Sequence, residues 1–125
     1  MQAVALVFVG GGLGAALRHV LNSAALRAFG AEFPWGIFGI NVAGSLLMGL
    51  LVGWAGARAV AVPNAMLFLT TGVLGGFTTF STFSLDAVTL WERGAGVAAV
   101  FYVLGSVCLA ILALAAGLLI GRALA

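Results

Sequence analysis

The stretch Gly72-Val73-Leu74-Gly75-Gly76-Phe77-Thr78-Thr79-Phe80-Ser81-Thr82-Phe83-Ser84 places glycines, hydroxyls and phenylalanines within an otherwise apolar part of the chain. A segment that only had to cross a membrane would carry Leu, Ile and Val there. Paired glycines weaken a helix, and backbone polar groups freed in hydrocarbon cost several kcal/mol each unless they find a partner. Irregular backbone at membrane depth persists only where it is buried in protein or lines a polar cavity. The stretch is therefore the first candidate for a functional site.

The rest of the chain has the composition of an integral membrane protein. Of its 125 residues, 64% are hydrophobic and 6% are charged, and lysine is absent, whereas soluble domains carry about 25% charged residues. At about 20 to 25 residues per spanning helix, this length accommodates four spans and no extramembrane domain. The net charge of +2 without a basic cluster argues against a nucleic-acid partner. The single cysteine rules out an intrachain disulfide.

Four spans are predicted to form a single all-α transmembrane domain over residues 1–125. Their approximate ranges are 2–28, 33–57, 63–90 and 96–120. In the second span, Trp35 and Trp54 would lie about 28 Å apart along a helix, which nearly matches the hydrocarbon thickness of about 30 Å. Pro63 suits the first turn of the third span. The connections, including the one from Arg58 to Val62, are short, so successive helices should run antiparallel.

Glycines spaced four residues apart occur in each predicted span. Because lipid supplies little hydrophobic drive between helices, close backbone approach through small residues contributes much of the packing. The pairs are Gly10 and Gly14, Gly49 and Gly53, Gly72 and Gly76, and Gly117 and Gly121. They predict a tight four-helix bundle, and by themselves they indicate nothing further.

The arginines do not favour either orientation of the chain in the membrane. The side that holds the N-terminus would carry Arg58 and Arg122, and the other side Arg27 and Arg93, joined by Arg18 if it reaches that way. Orientation normally follows an excess of Lys and Arg in the cytoplasmic loops, and neither side has one. We therefore predict insertion in both orientations and pairing as an antiparallel, dual-topology homodimer. A single orientation set by subtler features is the alternative.

Few polar side chains lie within the predicted spans. Asn41 in the second span carries an amide that would face either a pathway or a neighbouring helix. In the second case it would only hold the bundle together through an interhelical hydrogen bond. Phe80 and Phe83 share a helix face, as ordinary packing pairs also do, and Tyr102 and Ser106 form a short polar stripe on the fourth span. The third span has too many hydroxyls for packing alone, although some can bond the carbonyl one turn back. They belong to Thr70, Thr71, Thr78, Thr79, Ser81, Thr82 and Ser84.

These residues do not form a catalytic constellation. The sequence has no metal-ligand cluster, catalytic triad or phosphate-binding loop, and the glycine-rich run 10–14 lies in a span instead of between a strand and a helix. We expect the protein not to be an enzyme. Neutral hydroxyls, one amide and the positive edges of aromatic rings suit a small, hard anion that must replace its lost water. A broken third span would add half-helix ends, which attract anions at their amides and cations at their carbonyls.

Three motifs carry a resemblance to a known family. The chain resembles the Fluc (CrcB) fluoride channels, which are small four-span proteins of the prokaryotic plasma (inner) membrane. The motifs are Gly11-Gly12-Leu13-Gly14-Ala15 before Arg18, Asn41-Val42-Ala43-Gly44-Ser45 before Gly49, and Gly75-Gly76-Phe77-Thr78-Thr79-Phe80-Ser81-Thr82-Phe83-Ser84. The resemblance implies an antiparallel dual-topology homodimer, embedded in membrane lipid, with a break in the third span and two separate fluoride pathways.

The resemblance also implies roles for particular side chains along each pathway. The phenylalanines would face the permeating fluoride with their ring edges, the amide would reach into the route, and hydroxyls would line the remainder. The implied pathway residues are Asn41, Phe80, Ser81, Thr82, Phe83, Tyr102 and Ser106.

A sodium ion and an aqueous vestibule are further implications of the resemblance. The backbone carbonyls of Gly75 and Thr78, at the break in both subunits, would hold a structural sodium ion that is not transported. Arg18 matches an arginine near the aqueous vestibule.

The chain departs from the family pattern at several positions. His19 stands where tyrosine is usual, and Asp86 stands where a longer glutamate is usual. The polar stripe of the fourth span continues into Ala110 and Leu114, which offer no donors.

The leading functional hypothesis is a passive, fluoride-selective channel that exports cytoplasmic fluoride down its electrochemical gradient. A small multidrug-type exporter, also a four-span dimer of dual orientation, is an alternative, but it needs a carboxylate near the membrane midplane that this sequence lacks. A structural membrane subunit without a pathway is the other alternative. A continuous helix across the third span would favour that last reading.

Overall fold

The computed structural model describes residues 1–58 and 63–125, and within these ranges every regular element is helical. The elements are α1 (Gln2–Phe29), α2 (Trp35–Arg58), α3 (Pro63–Met66), a π-helical segment (Leu67–Leu74), α4 (Gly75–Phe77), α5 (Phe80–Glu92) and α6 (Gly96–Ala123). Most of the predicted connection after Arg58 lies outside the described residues.

Four helical stretches are long and apolar enough to cross a membrane. They are Gln2–Phe29, Trp35–Arg58, Pro63–Glu92 and Gly96–Ala123, and each begins or ends within a few residues of a predicted span. The predicted class, an all-α protein with four transmembrane helices, is confirmed for the part of the chain that the structure describes. In the most apolar windows of α1 and α6, only 11% of the residues are buried in the protein. The remaining apolar surface of these helices therefore suits membrane lipid or another chain.

Glycine allows α2 and α6 to approach each other at backbone distance. A methyl group added at Gly49 would lie 2.9 Å from the Leu118 nitrogen, and one added at Gly117 would lie 2.9 Å from the Leu50 nitrogen. Both separations are shorter than carbon and nitrogen atoms tolerate, so any side chain larger than hydrogen would push the helices apart. The prediction that four-spaced glycines pack the bundle is confirmed for this pair of helices.

The third span does not keep one regular helical geometry. Its π-helical segment was not predicted from the sequence, and Thr70 Oγ1 within it donates to the Met66 carbonyl at 2.6 Å. Between α4 and α5, Thr78 (φ −79°, ψ 157°) and Thr79 (φ −153°, ψ 129°) have extended backbone. The Thr79 side chain then caps α5, because its hydroxyl oxygen accepts from the Thr82 N–H at 3.3 Å. The Thr78 N–H still donates to the Leu74 carbonyl at 3.0 Å. The Thr78 carbonyl and both backbone polar groups of Thr79 thus need partners outside their own helices.

Two buried apolar clusters lie on either side of these extended residues. One consists of Ile37, Phe83, Leu90, Ala99 and Tyr102, and the other of Ile40, Leu74 and Phe77. Helix α2 contributes one isoleucine to each cluster and so contacts both halves of the third span. The first half packs mainly against α1, and α5 packs mainly against α6.

Candidate functional site

A cavity of about 490 Å³ lies beside Thr78 and Thr79, between α2, the third span and α6. Its wall combines the extended backbone of Thr78 and Thr79 with phenylalanine rings, an amide and hydroxyls. Six of the residues predicted for the pathway or the sodium site line this cavity: Asn41, Gly75, Thr78, Phe80, Phe83 and Ser106. Ser45 and Thr79 also line it, although the sequence did not single them out as site residues.

The Asn41 amide binds the peptide group of Thr79 through two hydrogen bonds. Its Nδ2 donates to the Thr79 carbonyl at 3.0 Å, and the Thr79 N–H donates to its Oδ1 at 2.9 Å. In a continuous α-helix the Thr79 N–H would donate to the carbonyl of Gly75, one turn back. Asn41 therefore makes the interhelical bond that was one of its two predicted possibilities. Its amide nitrogen carries a second hydrogen that this pair of bonds does not use.

Arg18 binds the other extended residue from α1. Its Nη1 donates to the Thr78 carbonyl oxygen at 3.2 Å, and the arginine side chain is half-buried. A guanidinium stays protonated in proteins, so this contact places a permanent positive charge beside that carbonyl. The sequence predicted Arg18 near a vestibule, but it did not predict the contact with Thr78. No local pattern connects the two, since they lie 60 positions apart.

The hydroxyls of the third span divide into those that bond their own helix and those that gather around Thr79. Thr78 Oγ1 donates to the Leu74 carbonyl, one turn back, at 2.9 Å. The sequence allowed such bonds for some of the hydroxyls. The Thr79 hydroxyl lies 3.2 Å from Thr82 Oγ1 and 3.4 Å from Ser81 Oγ. Ser81 and Thr82 are thus placed at the start of α5, next to the cavity wall but outside its lining.

Ser106 on α6 carries a buried hydroxyl beside the cavity. The residue is 5% exposed, and its Oγ has no hydrogen-bond partner among the described residues. An unsatisfied buried hydroxyl costs about 1–3 kcal/mol, so a partner that enters the cavity would be favoured at this position.

Phe80, Phe83 and Tyr102 form a row of rings that leads away from the cavity. Phe80 and Phe83 have centroids 5.5 Å apart, and Phe83 lies 5.2 Å from the ring of Tyr102. Tyr102 is fully buried, and its hydroxyl donates to Asp86 Oδ2 at 3.1 Å. The structure places Tyr102 behind Phe83, with its donor engaged by the carboxylate, so Tyr102, like Ser81 and Thr82, does not line the cavity.

A metal ion at this site would depend on backbone oxygens. Among residues 1–58 and 63–125, no group of His, Cys, Asp and Glu side chains could hold a metal. The Gly75 carbonyl fits the predicted role, because the Thr79 N–H that would occupy it in a helix donates to Asn41 instead. The Thr78 carbonyl already accepts from Arg18, which leaves one lone pair for a cation.

Four apolar spans, with a cavity between three of them lined by neutral polar groups and phenylalanine rings, are typical of a small multi-pass membrane protein with a site of the transport type. A family model described as "CrcB-like protein, Camphor Resistance (CrcB)" matches residues 5–118. The chain belongs to this family, which confirms the resemblance seen in its motifs.

Curated relatives cover nearly the whole chain and share one name. The chain is 59% identical over 118 residues to the "Fluoride-specific ion channel FluC" of Methylobacterium nodulans, with 94% of each chain covered. It is 55% identical over 117 residues to the "Fluoride-specific ion channel FluC 2" of Nitrobacter hamburgensis, again with 94% of each covered. The protein of Chelativorans sp. is 54% identical over 125 residues, with 99% of each covered.

These relatives bear on two further predictions. Their names are those of ion channels, which confirms the expectation that the chain is not an enzyme. They come from bacteria, and together with the four candidate spans they agree with the predicted location as a multi-pass protein of the inner membrane.

Proposed function

We propose that this protein is a fluoride-selective, passive ion channel. The observation that carries the proposal is the cavity beside Thr78 and Thr79, where donors without charge and phenylalanine rings meet at membrane depth. The names of its close relatives support the identity of the ion. Fluoride that enters a cell as the weak acid HF dissociates in the neutral cytoplasm, and the channel returns the anion down its electrochemical gradient.

Selectivity follows from what a dehydrated fluoride ion needs. Fluoride is small and strongly hydrated, so it enters a narrow passage only where donors replace its water. The free hydrogen of the Asn41 amide, the unpartnered Ser106 hydroxyl and the electropositive edges of Phe80 and Phe83 supply such donors. Chloride is larger and gains less from the same donors. Because these donors carry no full charge, they hold the anion weakly enough for it to leave.

We further propose that two copies of the chain pair in opposite orientations and form two pathways. The balance of arginines between the two faces supports insertion both ways. The cavity is open in the single chain, and Phe80 on its wall is 77% exposed. An inverted second copy would cover such apolar surface and complete the wall. A tag at the C-terminus should then be accessible from both faces of the membrane.

A structural sodium ion at the centre of this dimer is the last element of the proposal. Gly75 and Thr78 of each copy would contribute backbone carbonyls, a set of oxygen ligands that suits a hard cation. The ion would hold the interrupted third spans of the two copies together without being transported. Arg18 would share the Thr78 oxygen and so weaken the site by charge repulsion.

The proposal is tested by ion flux from liposomes. Purified protein is reconstituted with a fluoride gradient, and efflux is started with a potassium ionophore, in parallel with a chloride gradient. We expect fast fluoride efflux that depends on protein and ionophore, and no chloride efflux above that of empty liposomes. Equal rates for the two anions, or no fluoride efflux, would reject the proposal. Replacing sodium with a bulky organic cation during purification tests the proposed structural sodium ion separately from the identity of the transported anion.

A further inference from the structure

The ring of Tyr102 is held at one end of the bundle by contacts on several sides. Phe33 meets it edge-on, with centroids 5.5 Å apart and planes at 90°, and Phe83 lies 5.2 Å from it on another side. Its hydroxyl is fixed by the hydrogen bond to Asp86. Because Tyr102 is 0% exposed, its ring can move only if one of these neighbours moves.

Phe33 belongs to the connection between α1 and α2, and this connection is itself anchored. Arg93, just after α5, donates from Nη1 to the Ala31 carbonyl at 3.2 Å and from Nη2 to the Glu32 carbonyl at 3.0 Å. The Phe33 ring also packs 4.5 Å from the ring of Trp35. These contacts hold Phe33 against Tyr102, although Phe33 lies outside the cavity.

We propose that Phe33 is a positioning residue for the ion pathway, which acts through the ring of Tyr102 on the orientation of Phe83. This inference rests on the proposed function. Phe83 is 8% exposed and lines the cavity, so the Tyr102 ring forms the support behind it. The edge of an aromatic ring is electropositive and its face is electronegative. A tilt of the Phe83 ring would therefore replace an attractive edge with a repulsive face on the route of an anion.

The chain offers a direct probe of this contact, because Tyr102 is its single tyrosine. Labelling with 3-fluorotyrosine gives one ¹⁹F resonance, which reports the environment of the Tyr102 ring in fluoride-free detergent solution. The test variant is Phe33→Leu. The matched control is Phe29→Leu, which changes a phenylalanine near the same membrane boundary that is 66% exposed. Phe33→Tyr keeps the ring but adds a second tyrosine, so this variant is used for flux measurements only.

In Phe33→Leu we expect the ¹⁹F resonance to shift and fluoride flux to fall by about tenfold, since a remote substitution that misplaces a site group by about 1 Å can lower a rate by up to about a hundredfold. The melting temperature should stay near that of the unmodified protein, and Phe33→Tyr should recover most of the flux. Phe29→Leu should change neither the resonance nor the flux. Normal flux in Phe33→Leu, with or without a shift, would overturn the inference, as would equal losses in Phe29→Leu. Absence of fluoride flux in the unmodified protein would instead reject the proposed function.

Discussion

The amide of Asn41 and the peptide group of Thr79 exchange two hydrogen bonds, at 2.9 and 3.0 Å, between α2 and the third span. These two bonds supply partners within the protein for the Thr79 N–H and the Thr79 carbonyl, which lie outside regular helix. Hydrocarbon cannot supply such partners. Because the same amide lines the cavity, its contribution to folding is coupled to the role in ion passage that we propose for it.

Asn41→Asp should impair both contributions. The substitution replaces the donor that faces the Thr79 carbonyl with an oxygen, so two acceptors would meet at about 3.0 Å. We expect a loss of stability of about 1–3 kcal/mol in detergent, together with a strong reduction in fluoride flux. Asn64→Asp is the matched control, because Asn64 is exposed on α3. Normal flux and an unchanged melting temperature in Asn41→Asp would show that the two hydrogen bonds between Asn41 and Thr79 are unimportant.

Phe80→Ile tests the role of Phe80 in ion passage separately from any role in folding. Phe80 is 77% exposed in the single chain, so the ring contributes little to the stability of one copy, and its loss should be felt mainly by the ion. We expect fluoride efflux to fall strongly while the protein still elutes as a folded oligomer. Phe101→Ile changes a phenylalanine of similar exposure, 71%, on α6 outside the cavity, and should conduct like the unmodified protein. If both variants conduct equally well, Phe80 does not line the route.

Removal of the charge of Arg18 should strengthen sodium binding. The guanidinium lies 3.2 Å from the Thr78 oxygen, and two unit charges about 5 Å apart repel by about 3 kcal/mol near a protein surface, less where water screens them. In Arg18→Gln, sodium should raise the melting temperature at concentrations about tenfold lower. Arg18→Lys keeps the charge and should bind sodium like the unmodified protein. An unchanged or weaker sodium response in Arg18→Gln would contradict this assignment of the cation site.

Ser106→Ala should reduce flux without reducing stability. The buried Ser106 hydroxyl has no partner among the described residues, so its removal should leave stability unchanged or increase it by up to about 1 kcal/mol. Fluoride flux should nevertheless decrease, because a donor of the cavity wall is lost. Ser84→Ala serves as the control, since the Ser84 hydroxyl donates to the Phe80 carbonyl at 2.9 Å. A marked loss of stability in Ser106→Ala would mean that the hydroxyl has a structural partner.

Gly49→Ala tests the close contact of α2 with α6. The added methyl would lie 2.9 Å from the Leu118 nitrogen, and such overpacking costs about 1–3 kcal/mol. Gly56→Ala, on the same helix, meets nothing within 4 Å and should be neutral or stabilising by up to about 1 kcal/mol. Thermal unfolding in detergent measures both. A Gly49→Ala variant as stable as Gly56→Ala would show that the helices can separate at little cost.

Much of the candidate site was predictable because its residues follow local rules. An excess of hydroxyls beside phenylalanines in an apolar span favours a cavity, and the structure brings Asn41, Phe80, Phe83 and Ser106 together at one. The Tyr102 contact was not predictable in this way. Tyr102 shares a helix face with Ser106, yet its hydroxyl is engaged by Asp86 from a different helix. The π-helical geometry of Leu67–Leu74 also has no evident mark in the sequence.

The sequence by itself determined that the chain forms four membrane spans and that the third of them carries the unusual chemistry, because hydropathy and glycine content act locally along a chain. Only the tertiary structure decided which groups satisfy the extended peptides of that span. Arg18 and Asn41 bind Thr78 and Thr79 across 60 and 38 positions of sequence. Hydrogen bonds of such range depend on how α1 and α2 pack against the third span. Composition sets the tendency of helices to pack, but the side chain that reaches a given carbonyl is set by the packed geometry.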